Sequence, residues 1–118
     1  MINDLSRTVL MGHLGDDAQR KNEKAPVTFR LAVTSRWNDN AGDRQSRTEW
    51  HSITVFGNLA KYALTLKKGD RVYVEGELRS NTRDKTVGTE TIKITYWEVL
   101  VSQLERVNAK SESESSED

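Results

Sequence analysis

Apolar and polar residues alternate along much of this chain, and the alternation predicts its strands. Val27, Phe29, Leu31 and Val33 share one parity, and Thr28, Arg30, Ala32 and Thr34 share the other. Successive side chains of a strand point to opposite faces, so this is the pattern of a half-buried strand. Val72, Val74 and Leu78 alternate in the same way with Tyr73, Glu75, Glu77 and Arg79. A last strand opens at Ile92 and Ile94 and runs on through Tyr96, Trp97, Val99 and Val101. The first strand covers residues 7–14, and the Gly12 and Gly15 near its end predict a bulge or bend.

Between Trp50 and Arg71 the period changes. Leu59, Ala60, Ala63, Leu64 and Leu66 predict a short amphipathic helix, with Asn58 as its cap and Gly69 as its stop. Segments 16–25, 38–46 and 81–89 are rich in charge, Asn, Gly or Asp and read as loops. The order is three strands, a helix and two strands. That order predicts an all-β fold, a five-stranded OB-fold barrel with one short helix between strands three and four. An SH3-like barrel competes, and the helix argues against it. Residues 1–107 form the predicted domain. From Asn108 the composition collapses to Ala, Lys, Ser, Glu and Asp, which reads as a disordered acidic tail over 108–118.

The strand from Thr48 to Gly57 carries the candidate chemistry. Ile53 and Val55 share a parity with His51 and suit the core. Trp50, Ser52, Thr54 and Phe56 share the other parity, so an otherwise polar face holds two large aromatics roughly 20 Å apart at about 3.3 Å per residue. Exposed groups of this kind mark a partner. A nucleobase can stack on either ring, at about 1–3 kcal/mol per base and with little regard for sequence. Burial against a second subunit or under the helix explains the pattern equally well. Trp37 has core parity but stands beside Asn38, Asp39 and Asn40 and next to Arg36, which suits the mouth of a groove.

Composition narrows the field. The 118 residues suffice for one domain, and with no cysteine neither disulfides nor thiolate metal sites arise. No apolar run is long enough to span a bilayer or to form a signal region, so the expected location is the cytoplasm, at the nucleoid if DNA is the partner. The net charge is zero, but Glu112, Glu114, Glu117 and Asp118 concentrate acid in the tail, and residues 1–110 hold 18 bases against 14 acids. The bases are dispersed, as a groove that tracks a phosphate backbone requires and as any soluble surface shows. Arg7, Arg30, Arg36, Lys61, Lys68, Arg79 and Arg83 are the candidates for phosphate contact.

At these residues the chain resembles the bacterial single-stranded DNA-binding protein family. The match runs through Ser6-Arg7-Thr8-Val9-Leu10-Met11-Gly12-His13-Leu14-Gly15, then Phe29-Arg30-Leu31-Ala32-Val33-Thr34 and Trp37. It continues through Thr48-Glu49-Trp50-His51, Val55-Phe56-Gly57-Asn58-Leu59-Ala60 and the stretch from Leu66 to Arg79, covering about residues 1–104 in one register. The resemblance implies sequence-independent binding and protection of single strands in replication, recombination and repair. It also implies assembly as a homotetramer and base stacking on Trp37, Trp50 and Phe56. It places His51 at a subunit contact, and Tyr73 is taken as a second interface candidate. Replication and repair proteins are the further partners it implies, and no membrane is.

Two departures stand out. Many members carry another stacking Trp after the segment matched by Leu78-Arg79, where this chain has Ser80-Asn81-Thr82-Arg83, and Trp97 is an extra aromatic. The tail residues end Ser115-Ser116-Glu117-Asp118, without the Pro-Phe anchor by which many members recruit enzymes. No catalytic constellation is present. Gly12-His13-Leu14-Gly15 is too short for a phosphate loop, and Glu75 with Glu77 lacks a further ligand, so neither a metal nor another cofactor is expected. His13 and His51 read as structural. The alternatives are a primosomal OB adaptor, which tends to lack the full aromatic set, and a structural oligomer whose aromatic face is an interface.

Overall fold

The computed structural model describes residues 4–107. The elements are β1 (Thr8–Leu14), β2 (Gln19–Arg20), β3 (Val27–Asn38), β4 (Arg44–Val55), α1 (Leu59–Ala63), β5 (Arg71–Val87) and β6 (Glu90–Arg106). Five of the strands close a barrel. β1 pairs with β5, β5 with β6 and β4 with β3, all antiparallel; β6 and β4 pair in parallel at Ile53↔Val99 and Thr54↔Leu100. The barrel shuts where β1 leaves β5 and meets β3 at His13↔Ala32 and Leu14↔Leu31. The two-residue β2 adds to the edge of β3 and was not expected from the pattern.

The inward parity of each strand builds the core. Val27, Phe29, Leu31, Ile53, Val55, Val72, Val74 and Val99 are buried, and Ala60, Ala63 and Leu66 close the barrel's end from the helix side. Each buried Val, Leu or Ile contributes about 1.5–3 kcal/mol over an exposed one. Gly12 is required by close approach, because a Cβ there would collide with the Ala32 carbonyl across the closing seam. The register shift of the sheet lies at Glu75/Gly76, whereas the Gly12–Gly15 segment, where a bulge or bend was expected, is where β1 passes from β5 to β3.

Two expected loops are shorter than the pattern predicts, at residues 39–43 and 88–89. β3 and β4 run on past the barrel to Asn38 and Arg44, leaving a turn in which the Asp39 carboxylate accepts from the Ala41 and Asp43 amides. β5 and β6 form a second arm that ends at Gly88-Thr89, with Gly88 at φ 65°. That two-residue connection with a positive φ at its first position suits the right-handed twist of a hairpin. The β3–β4 turn end and the outer part of β5 are wet on both faces and lack the apolar alternation that marks a strand, whereas Ile92 and Ile94 of β6 keep it.

The helix is shorter than its pattern implies. Asn58 stands at its N-cap in αR geometry and makes no side-chain cap, contrary to expectation. The chain leaves the helix through bonds from the Thr65 amide to the Tyr62 carbonyl and from the Leu66 amide to the Ala63 carbonyl, and Gly69 turns it at φ 91°. Arg106 ties this end to β6. Its backbone N–H donates to the Tyr62 hydroxyl at 2.8 Å, and its guanidinium reaches the Thr65 carbonyl and Asp70.

Candidate nucleic-acid interface

Trp50 stands on the outer face of β4, directly across from Ala32 of β3. Its ring lies against Gly15, where any Cβ would collide with it. The Arg30 guanidinium sits over the ring at 4.9 Å from its centroid and is held in turn by Asp16 at 3.0 Å. Two other segments, Gly15–Asp16 and β3 at Arg30, thus hold one indole, which is still 52% exposed. Burial under the helix, one of the alternatives left open by parity, does not occur among the described residues.

Phe56 follows the last residue of β4 and is 55% exposed. It borders a groove with Thr28, Thr54, Asn81, Arg83 and Glu98, formed where the β5–β6 arm rises beside the β3–β4 face. The groove continues past Asp16, Asp17, Arg30 and Ser52 toward Tyr96 and Trp97. Trp50 and Phe56 therefore mark the two ends of one outer face, with Ser52 and Thr54 between them.

Trp37 is not beside them. It lies within β3, across from Gln45, rather than in a loop. It is five positions from Ala32 in an unbroken register, so it projects from the opposite face of the arm to Trp50. Its core parity does not bury it, because the arm has left the core by that point. Arg36 does share the Trp50 face, beyond the Thr34–Thr48 hydroxyl pair.

The basic candidates divide by partner. Arg7 is paired with Glu75 at 2.9 Å, Arg30 with Asp16, and Arg79 with Glu77 at 3.0 Å. Among the described residues Arg36, Lys61, Lys68 and Arg83 make no ion pair. Lys61 lies on α1 and Lys68 in the turn after it, at the closed end of the barrel. Arg83 lies over the Tyr96 ring, 5.4 Å from its centroid. Trp97 stands across from Ser80 and is exposed. The pattern held a sign of this surface: apolar parity switches between Ile94 and Val99, where the strand passes from arm to barrel. Gly15, Asp16 and Glu98 had no such sign, since their contacts cross between distant segments.

The interface candidates lie elsewhere. His51 pairs with Leu31 on the inward parity and is half-buried. Tyr73 pairs with Met11 on the outer side of β1 and β5, and its hydroxyl donates to Glu75 at 2.8 Å. That bond, followed by the Arg7 ion pair, lowers the Glu75 pKa, and the same bond raises that of Tyr73. Val9 and Met11 are exposed on this face. The far edge of β1 from Thr8 to Gly12 has no strand partner among the described residues. No helix among them is long and apolar enough to cross a membrane, and no group of acid, His or Cys side chains there could hold a metal.

Strand order, closure and helix position define an OB-fold barrel with an aromatic outer face. Residues 5–107 match the family described as the single-strand binding protein family, and the chain belongs to it. It is similar to a single-stranded DNA-binding protein of Neisseria meningitidis, 34% identical over 113 residues, which cover 92% of this chain and 63% of that protein. It is also similar to single-stranded DNA-binding protein 1 of Chlorobaculum tepidum, 38% identical over 102 residues, covering 78% of this chain and 63% of that protein. This chain therefore spans a little under two thirds of the length of those relatives. Among solved structures, a Plasmodium falciparum SSB in complex with ssDNA superposes with a TM-score of 0.73 and 29% identity, covering 92% of this chain and 99% of that one. A small single-stranded DNA-binding protein of Streptomyces coelicolor shares the fold, with a TM-score of 0.67 and 23% identity over 92% of this chain and 99% of that one.

Proposed function

We propose that this chain binds and protects single-stranded DNA with little regard for base sequence, as a binding protein and not an enzyme. The observation that carries this reading is the Trp50 ring, half-exposed yet fixed by Gly15 and Arg30 on the same outer face as Phe56. A rigid, accessible ring loses little freedom when a base stacks on it, and every base has a face to offer. Arg36 and Arg83 stand near that face without a carboxylate partner and are the first phosphate contacts in this reading. Arg30 serves once it leaves Asp16. Trp37, on the other face of its arm, meets DNA only if the strand wraps around the arm. Lys61 and Lys68 extend the path around the barrel's end. Family membership supports the ligand, and the strands exposed in cytoplasmic DNA replication, recombination and repair would supply it.

We also propose self-association, as a homotetramer. The unpaired β1 edge offers backbone donors and acceptors to a second β1, as open edges do. The outer face of Val9, Met11 and Tyr73 offers apolar surface to a second layer, with His51 near the barrel rim as a further contact. Titration with poly(dT) while mass is measured tests both proposals. The expected result is quenched tryptophan emission, a four-chain mass, and a log–log salt slope of about −0.7 per phosphate neutralised. Unchanged emission at saturating poly(dT) in low salt contradicts stacking, and a one-chain mass contradicts assembly.

A further inference from the structure

Resting on that reading, the geometry points to an additional base-reading subsite in the groove between the barrel and the β5–β6 arm, built from Tyr96, Arg83, Asn81 and Glu98, that takes a nucleobase bearing an exocyclic amino group. The groove has a volume of about 390 Å³, inside the range of roughly 300–1,000 Å³ typical of small-ligand pockets. Tyr96 is 47% exposed, and Arg83, with no ion pair among the described residues, lies over that ring. A guanidinium plane and a phenol ring are both surfaces on which a splayed base stacks.

The charge of the lining argues for a base edge inside. Asp16, Asp17 and Glu98 border the groove together with Arg30 and Arg83; Asp16 is paired with Arg30 and Asp17 accepts from the Lys68 amide, which leaves Glu98 as the carboxylate with capacity to spare. Phosphate is drawn to the arginines and repelled by a carboxylate, so the hydrogen-bonding edge of the base, and not the backbone, is what faces Glu98. Glu98 is placed for this contact. The Thr54 hydroxyl, itself buried, donates to one carboxylate oxygen at 2.5 Å, and the other oxygen has no partner among the described residues. A carboxylate only accepts, and the amino groups of cytosine, adenine and guanine donate. Thymine presents carbonyls in the corresponding positions and meets Glu98 less well. Asn81 pairs with Tyr96 across the arm and adds a group that both donates and accepts.

The test compares short dC and dT oligonucleotides, two pyrimidines of similar self-stacking, on the wild-type chain and two variants. Glu98→Gln keeps the size and the Thr54 contact but removes the charge and adds a donor. It is expected to lower the dC-to-dT affinity ratio by about tenfold. Tyr96→Ala is expected to weaken both oligonucleotides by the same factor, about 5- to 100-fold, because stacking ignores the base edge. Circular dichroism confirms that each variant is folded. An unchanged dC-to-dT ratio in Glu98→Gln overturns the subsite while leaving the general binding reading intact, as does a Tyr96→Ala variant that binds as wild type. Failure of the wild type to bind either oligonucleotide overturns both.

Discussion

At the scale of single residues, the outer face turns on Trp50 and the two groups that hold it. Gly15→Ala puts a methyl group where the indole lies. It is expected to displace the ring, shift tryptophan emission and weaken single-strand binding without lowering the melting temperature much. Trp50→Ala is expected to cost about 1–3 kcal/mol of binding and little stability. By contrast, Ile53→Ala, three positions on and wholly buried, should cost about 2–5 kcal/mol of stability. Urea denaturation alongside DNA titration separates the two effects. Asp16→Asn releases Arg30 for phosphate. Since an exposed pair is worth about 0.2–1 kcal/mol, binding should tighten by that amount and the salt slope should steepen. Looser binding by this variant would mean that Asp16 positions Arg30 for DNA and does not compete with it. The outward parity of Trp50 and Phe56 was legible in the alternation of their strand. The exposure of Trp37 was not, because parity tells which face a side chain takes and not whether a core still lies beneath it.

At the scale of elements, the barrel strands were legible, and of the arms only the β6 side from Ile92 and the β4 side from Thr48 were. A strand with one face in the core advertises itself by period two, as Val27 to Val33 does. The arms carry polar residues on both faces and hold together by backbone ladders, by the Thr82–Thr95 hydroxyl pair and by Lys93 with Asp84. Such contacts leave no periodic trace. The helix was legible in place but not in extent, since its apolar residues continue into the turns after Ala63. On the other side of the barrel, Arg7, Glu75 and Tyr73 make a pH-sensitive link within the β1–β5 pair. Glu75 has a lowered pKa, so its contribution is complete above 4.5, the ordinary glutamate value, and is lost as pH falls through the lower folded value. Tyr73 has a raised pKa, so its contribution is complete below 10.0 and is lost as pH rises through the folded value. The melting temperature of wild type should thus fall at acid pH more than that of Glu75→Gln. Parallel acid limbs in the two proteins would remove Glu75 from the acid response.

At the scale of the whole molecule, the barrel separates two surfaces. One carries Trp50, Phe56 and the groove beneath the β5–β6 arm. The other carries the open edge of β1 with Val9 and Met11. This division predicts separable defects. Met11→Asp is expected to reduce the assembled mass at equilibrium sedimentation and to leave Trp50 able to respond to a short oligonucleotide. The fold class, a barrel, was legible in the order of the elements, whereas the seam at which it closes was not, since that depends on the two residues where β1 changes partner. The central claim is that bases stack on Trp50. The most direct measurement uses the double variant Trp37→Phe, Trp97→Phe, in which Trp50 is the single remaining tryptophan. Addition of poly(dT) should quench its emission in step with binding measured by anisotropy, and duplex DNA should not. Saturated binding of poly(dT) with unchanged Trp50 emission would contradict the account.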